Sequence, residues 1–260
     1  MTDYKTLLVE TDAHDVVSLT LNRPEKRNAL SAEMIAELHD FAENVQARAV
    51  VLSGAGDVFC AGGDLTWMKA QIAADRPTRM AEARKLAEML RVLNEMRCPL
   101  IARIHGAALG GGVGLACVAD VAIAADGTKF GLTETRLGLI PATIGPYVIA
   151  RMGEGRARRV FMSSRIFTAS EAAGLGIISG AVDAAALETA IDAEVAPYLS
   201  VAPGAVGRAK ALARRLGPRI DDAVIAASIE ALADAWETDD ARMGIDAFLS
   251  KTPAPWVQGR

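Results

Sequence analysis

The chain has 260 residues, 51% of them hydrophobic, and a formal net charge of −4 at pH 7. That length and apolar content suit one large globular unit, or a core with an appendage, and exclude a disordered chain. Lysine and arginine are scattered rather than gathered into a stripe, which excludes the footprint of a nucleic-acid binder and leaves only local cations for a small anion.

The opening MTDYKTLLVETD lacks the apolar segment of a signal peptide, and no run approaches the ~18 apolar residues of a membrane span. A soluble, cytoplasmic protein with no membrane partner is expected. Cys60, Cys98 and Cys117 have neither disulfide-framework nor zinc-ligand spacing, so reduced thiols and no metal are expected.

In chain order, the alternation in VVSLTL (Val16 to Leu21) predicts a strand, stopped by the turn-forming NRPEKRN. Ser31 can cap a helix whose Met34, Ile35, Leu38, Phe41, Ala42 and Val45 share one face. AVVLSG (Ala49 to Gly54) predicts a strand, followed by the loop GDVFCAGGDL (Gly56 to Leu65). An amphipathic helix spans Thr78 to Met96, with Met80, Ala83, Leu86, Ala87, Leu90 and Leu93 inward, and a strand spans Leu100 to His105. GVGLACVA then reads as a buried helix and VAIAA (Val121 to Ala125) as the next strand. A loop is expected from Phe130 to Pro146. Helices follow around Val148 to Met152, around Arg156 to Met162 and after the capping box Thr168-x-x-Glu171. The alanine-rich segments near Ala185 to Leu199, Gly204 to Leu216, Asp221 to Trp236 and Asp239 to Leu249 are also read as helical. The pattern is α/β with a helical C-terminal appendage from about residue 195, and no internal repeat is evident.

The stretch HGAALGGGVGLACVAD (His105 to Asp120) carries five glycines and follows a strand. Its spacing gives no GxGxxG, and the chain has no P-loop GKS/GKT and no GxSxG, which sets aside dinucleotide, nucleotide and nucleophile-elbow readings. His14, His39 and His105 have no motif partner and are read as surface or packing residues. What remains is a pair of Gly-bearing loops between strand and helix. Their amides could polarise one carbonyl together, or the glycines could serve only to make tight turns.

Four motifs, LNRPEKRNAL (Leu21 to Leu30), FCAGGDL (Phe59 to Leu65), HGAALGGGVGLACVAD and FGLTETRLGLIP (Phe130 to Pro141), resemble in order and spacing those of the crotonase family of enoyl-CoA hydratases and isomerases. The resemblance implies a crotonase-like spiral of ββα units in two sheets over residues 1–194. It implies a helical C-terminal trimerisation region over residues 195–260, giving a homotrimer or a hexamer. The implied substrate is an acyl-CoA thioester, with coenzyme A entering as part of it and no separate cofactor. Backbone amides of Gly63 and Gly111 are the implied oxyanion hole. The turn PEKRNAL resembles the CoA-binding segment, with Lys26 and Arg27 as phosphate neighbours or simply a solvated charged turn. Ala29, Leu30, Ala61, Asp64, Leu65 and Gly110 are implied walls, although Asp64 could instead cap the following helix.

Hydratases of this family usually carry two catalytic glutamates. The later one corresponds to Glu134; the earlier one falls where this chain has Gly114, which would instead leave room for substrate. Adding water divides naturally between two carboxyls, whereas moving a double bond needs one. A lone Glu134 therefore points to an isomerase. Against this, LTWMK (Leu65 to Lys69) and residues 137–159 resemble the bacterial methylglutaconyl-CoA hydratases of leucine and isoprenoid catabolism, which share Gly-Leu at the place of Gly114-Leu115. Hydration of an enoyl-CoA is the first expectation, isomerisation the second, and a non-catalytic acyl-CoA binder the third.

Overall fold

Alternation in VVSLTL does produce a strand, β2 (Val16–Leu21), in the computed structural model, which describes residues 3–257. It pairs antiparallel with β1 (Leu7–Thr11), a strand the mixed sequence LLVET does not announce. The next partners, β3 (Ala49–Gly54), β4 (Leu100–Ile104), β6 (Val121–Ala125) and β9 (Gly180–Val182), join in parallel, completing a six-stranded sheet in the order β1-β2-β3-β4-β6-β9. Parallel strands need crossovers, and helices supply them.

A second set of short pairings runs beside this sheet. After β4 the chain makes β5 (Ala107–Leu109), and after β6 it makes β7 (Lys129–Gly131); these pair in parallel, with β8 (Phe167–Thr168) antiparallel on the far side. Earlier turns reach the same row through isolated bridges, Leu30 to Gly63 and Cys60 to Ala108. Each turn of the spiral is thus a long strand, a short pairing and a helix. The helices are α1 (Ala32–Asn44), then α2 (Leu65–Ala73) with α3 (Arg76–Glu95), then α4 (Gly111–Val118).

The expected apolar stripes face the core. Met34, Ile35, Leu38, Phe41 and Ala42 of α1 are buried, as are Ala83, Ala87, Leu90 and Leu93 of α3, and Ser31 caps α1 by accepting from the Met34 amide. On α4 every residue from Gly112 to Val118 is buried, which explains its uniformly apolar sequence. The expected loop from residue 130 to 146 holds the end of β7 and a 3-10 turn at Glu134–Leu137. Further on, α5 (Gly145–Met152), α6 (Glu154–Phe161) and α7 (Ala169–Leu175) match the expected helices, and Thr168 Oγ1 accepts from the Glu171 amide as a capping box requires.

The expected long helix at 185–199 is instead α8 (Leu187–Val195) between two 3-10 turns, the second of which contains Pro197, a residue with no amide to continue the ladder. Leu187, Ile191 and Val195 of α8 pack on the sheet against Val16, Ala49, Ile101 and Ile123. Helices α10 (Asp222–Trp236) and α11 (Asp239–Leu249) bury one face within the chain: Ile225, Ile229, Leu232, Trp236, Ala241 and Ile245 share a second core with Met68, Ala83, Ala87 and Leu139. Among the α-helices of the described residues, only α9 (Pro203–Leu216) has no buried residue.

One polar side chain fixes the turn after β2. Asn28 is fully buried in a left-handed conformation at φ 53°, which asparagine tolerates better than most residues. Its amide nitrogen donates to the carbonyls of Ala55 (2.8 Å) and Val58 (2.9 Å), and its Oδ1 accepts from the Arg23 amide (2.9 Å). Asn28→Ala leaves these three groups unpaired and should cost about 3 kcal/mol or more of stability in urea unfolding, at ~1–3 kcal/mol for each buried group orphaned. A loss within about 0.5 kcal/mol would show that the turn is held otherwise.

Candidate active site

Residues 59–64 run between two neighbours and are hydrogen-bonded to both. On one side Phe59 N donates to His105 O, Cys60 N to Ala107 O, and Leu109 N to Cys60 O, at 2.9–3.0 Å. On the other, Ala61 N donates to Arg27 O, Leu30 N to Gly62 O, and Asp64 N to Leu30 O, at 2.8–3.1 Å. This lacing brings the two Gly-bearing loops together: a Cβ placed on Gly62, at φ 98°, would lie 3.0 Å from Leu109 O. The amides of Gly63 and Gly111 take no part in the hydrogen bonds among the described residues. Gly111 opens α4, where the first N–H groups have no acceptor within the helix. Gly110 before it has φ 49° and ψ −113°, a conformation that needs glycine.

Both glycines line a cavity of about 600 Å³. Glu134 lines it too, half-buried at the start of its 3-10 turn, with Oε1 so close to α4 that a Cβ on Gly110 would sit 3.0 Å away. Its Oε2 is buried and has no hydrogen-bond partner. Burial pushes the carboxyl up to about 7 from its usual 4.5, against the lowering effect of a backbone amide. An acid with a free oxygen that exchanges its proton near neutrality is suited to general acid–base work.

The other carboxylate walling the cavity from the Gly-loops is already engaged. Asp64 is buried, pairs with Arg23 at 2.9 Å, and accepts from the Thr66 and Trp67 amides as cap of α2. Burial raises its pKa, but the Arg23 guanidinium and these amides outweigh it and hold the carboxyl below its usual value. The capping reading of Asp64 therefore describes its bonds, although the residue also touches the cavity.

Ala29, Leu30, Ala61, Leu65 and Gly110 line the cavity, and Lys26 and Arg27 stand exposed at its edge. Gly114 does not line it. A Cβ there would lie 2.6 Å from Ile144 Cγ2, so the space beside this glycine belongs to Ile144, which is itself a wall residue, and is not left for substrate. His105 has a packing role, its Nε2 in a hydrogen bond with the Gly56 carbonyl at 2.8 Å.

Several residues of the site carry no signal in the sequence. Leu232, Trp236 and Phe248 reach the cavity from α10 and α11 across the whole chain. Ser164, buried at φ 50°, binds the Glu134 turn by accepting from the Arg136 amide at 2.8 Å and meeting Thr135 Oγ1 at 2.6 Å. Helix α11 presses on the turn's other side through two glycines. A Cβ on Gly138 would lie 2.3 Å from the Asp240 carbonyl, and one on Gly244 would lie 2.6 Å from the Leu137 carbonyl.

Among the described residues, no cluster of His, Cys, Asp and Glu could hold a metal ion, and no helix is long and apolar enough to cross a membrane.

Comparison with known proteins follows the same lines. Residues 11–259 match the family model described as enoyl-CoA hydratase/isomerase. The crotonyl-CoA hydratase of Syntrophomonas wolfei is 30% identical over 261 residues, covering 98% of each chain. Among solved structures, an enoyl-CoA hydratase from Shewanella pealeana is 33% identical with a TM-score of 0.78, covering 97% of this chain and 96% of its own. Pseudomonas aeruginosa AtuE is 37% identical with a TM-score of 0.77, covering 98% and 100%.

The glycine contacts of α11 make the position of Glu134 depend on a helix more than a hundred residues away in the chain. Gly244→Ala must push the turn from α11, and displacements of this order cost ~10- to 100-fold in turnover. We expect kcat to fall on that scale with KM little changed, in steady-state assays on a variant whose circular dichroism is unaltered. Unchanged kcat would show that α11 does not set the carboxyl's position.

Proposed function

The chain belongs to the enoyl-CoA hydratase/isomerase family, and from that premise we propose that it adds water across the C2–C3 double bond of an enoyl-CoA, with Glu134 as its acid–base group. Membership of the family implies an acyl-CoA substrate. The observation that carries the reading is the half-buried Glu134 carboxyl, its Oε2 unpartnered, sharing one cavity with the unused amides of Gly63 and Gly111.

In this mechanism the thioester oxygen accepts from the Gly63 and Gly111 amides, which hold the negative charge that develops on it. Glu134 takes a proton from water as the water oxygen bonds to C3, and the electrons of the double bond move into the thioester enolate. The protonated Glu134 then gives that proton to C2, and the thioester re-forms. The amide of Gly111 needs a bare α-carbon, since a Cβ would lie 2.7 Å from Leu30 Cδ1 and drive that wall residue aside. Lys26 and Arg27 are exposed and have no ion-pair partner among the described residues, which suits them to the phosphates of coenzyme A.

A second reading, movement of a double bond from C3–C4 to C2–C3, is favoured because Glu134 is the buried carboxyl left without a partner among the described residues of the cavity, Asp64 being paired with Arg23 and Glu25 standing exposed at the edge. The same carboxylate would take a proton from C2 and return it at C4. For the acyl group we propose a branched, methylglutaconyl-type chain. Apolar walls from Met68, Leu139 and Trp236 support it, as does Arg136, which lines the cavity without a carboxylate partner among the described residues.

Glu134→Gln keeps the shape of the side chain but cannot carry the proton, so turnover of enoyl-CoA substrates should fall ~100-fold or more with little change in thioester binding. In the unsubstituted protein, kcat/KM should rise with pH up to about 7, as the carboxyl ionises, and then level. The sign for stability is opposite. A carboxyl whose pKa is raised by folding stabilises the fold below its unfolded value and loses that contribution as pH passes about 7, so Glu134→Gln should be the more stable form at pH 8 but not at pH 4. Undiminished turnover in the Gln variant, across short, branched and long enoyl-CoAs, would remove Glu134 from the mechanism.

We also propose a homotrimer, or a hexamer of two trimers, built through the helical region after residue 195. Its support is α9, which buries no residue and leaves Leu212 45% and Leu216 78% exposed. Light scattering at micromolar concentration should give three or six chain masses; one chain mass would refute it.

A further inference from the structure

We propose that Ile144 makes Glu134 the cavity's single acid–base group, by filling with its own methyl groups the place beside Glu134 that a side chain at position 114 would otherwise occupy. The inference rests on the reading of Glu134 above and deepens it. It identifies a positioning residue that acts through the carboxyl rather than on the substrate bond.

The geometry follows from the start of α4. Gly110 is the N-cap of α4 and Gly114 lies in its first turn, with the Gly114 amide donating to the Gly110 carbonyl at 3.2 Å, so the two glycines are neighbours in space. Glu134 Oε1 rests on the first, 3.0 Å from where a Cβ on Gly110 would be. Ile144 rests on the second, with Cγ2 at 2.6 Å and Cβ at 3.1 Å from a Cβ on Gly114. The carboxyl and the isoleucine are therefore consecutive along the helix, and a carboxyl at position 114 would have stood next to Glu134.

Ile144 cannot retire easily. It is 3% exposed, and its carbonyl accepts the Tyr147 and Val148 amides that begin α5, both at 3.1 Å. Leu90 Cδ2, 3.7 Å from the same Cβ position, closes the space behind it. Gly114 and Ile144 thus form a matched pair, in which the glycine is bare because the isoleucine is there.

Two consequences follow for the chemistry. No carboxyl from position 114 can share the work, so Glu134 both takes and returns the proton. As an apolar residue of the same cavity wall, Ile144 also offers the carboxyl no hydrogen bond, in line with the burial that raises its pKa. Of the charged residues that share the cavity, Glu25, Lys26, Arg27 and Arg136 are exposed to solvent and Asp64 is paired with Arg23, while Asp240 of α11 meets the turn through its backbone.

The test uses the full chain and four variants: Ile144→Ala, Gly114→Ala, Gly114→Glu, and Gly114→Glu with Ile144→Ala. Gly114→Glu alone should lose at least ~10-fold in turnover and lower the melting temperature, because the new side chain meets Ile144. Adding Ile144→Ala should recover both, and the pH–rate profile of the double variant should show two ionisations where the unsubstituted protein shows one, since two adjacent carboxyls titrate as a coupled pair. Gly114→Ala should destabilise the protein clearly less when Ile144 is also Ala than when it is present. In Ile144→Ala the titration of Glu134, followed by carbon NMR of the labelled carboxyl, should move down toward the ordinary carboxylate range.

An unmoved Glu134 titration in Ile144→Ala overturns the proposal, as does a Gly114→Glu variant as active and stable as the double variant. If the unsubstituted protein turns over no enoyl-CoA, the functional reading fails on its own. The NMR titration and the melting temperatures, which need no substrate, then still decide the role of Ile144.

Discussion

Everything at the site hangs on the lacing of residues 59–64 between two other segments. Backbone hydrogen bonds from Cys60 and Leu109 on one side, and from Leu30 and Asp64 on the other, join the ends of three successive turns of the spiral. Because the bonds are between backbone groups, they set position with little dependence on side-chain identity, and they leave the Gly63 and Gly111 amides over. Such fixed donors need no reorganisation when charge develops before them, which is why a rigid sheet edge suits this work better than a mobile loop.

Glu134 illustrates the tension between stability and chemistry. A buried carboxyl oxygen without a partner costs the folded state, and the raised pKa is the measure of that cost in protonation. The surroundings hold it there from several sides: Ser164 fixes the backbone of its turn, Gly110 admits its oxygen, and the paired glycines 138 and 244 let α11 close against it. Neutral, apolar neighbours keep the acid near its protonation midpoint at pH 7, where it can serve in both directions.

The C-terminal helices divide their tasks. Helices α10 and α11 wall the cavity and α11 braces the Glu134 turn, so the C-terminal helices complete a site whose first wall residue is Glu25. Helix α9 does none of this and keeps its apolar positions at the surface. Composition alone treats the three alike, since all are alanine-rich amphipathic helices.

By itself the sequence determined the local elements and the chemical types. Period-two and helical patterns located β2, β3, β4, β6, α1 and α3; glycine density marked the two loops; four motifs marked the family. These are legible because each depends on neighbours in the chain or on a residue type that few conformations demand. It did not announce β1, β9 or the short row of pairings, where strands of three residues or single bridges leave no period to detect. It offered the helix cap for Asp64 as one of two alternatives, but could not show that Asp64 is paired with Arg23, that Gly114 faces Ile144, or that Trp236 and Gly244 belong to the site. Those facts arise from contacts between residues up to more than two hundred positions apart, and only the packing of the spiral against its own C-terminal helices decides them.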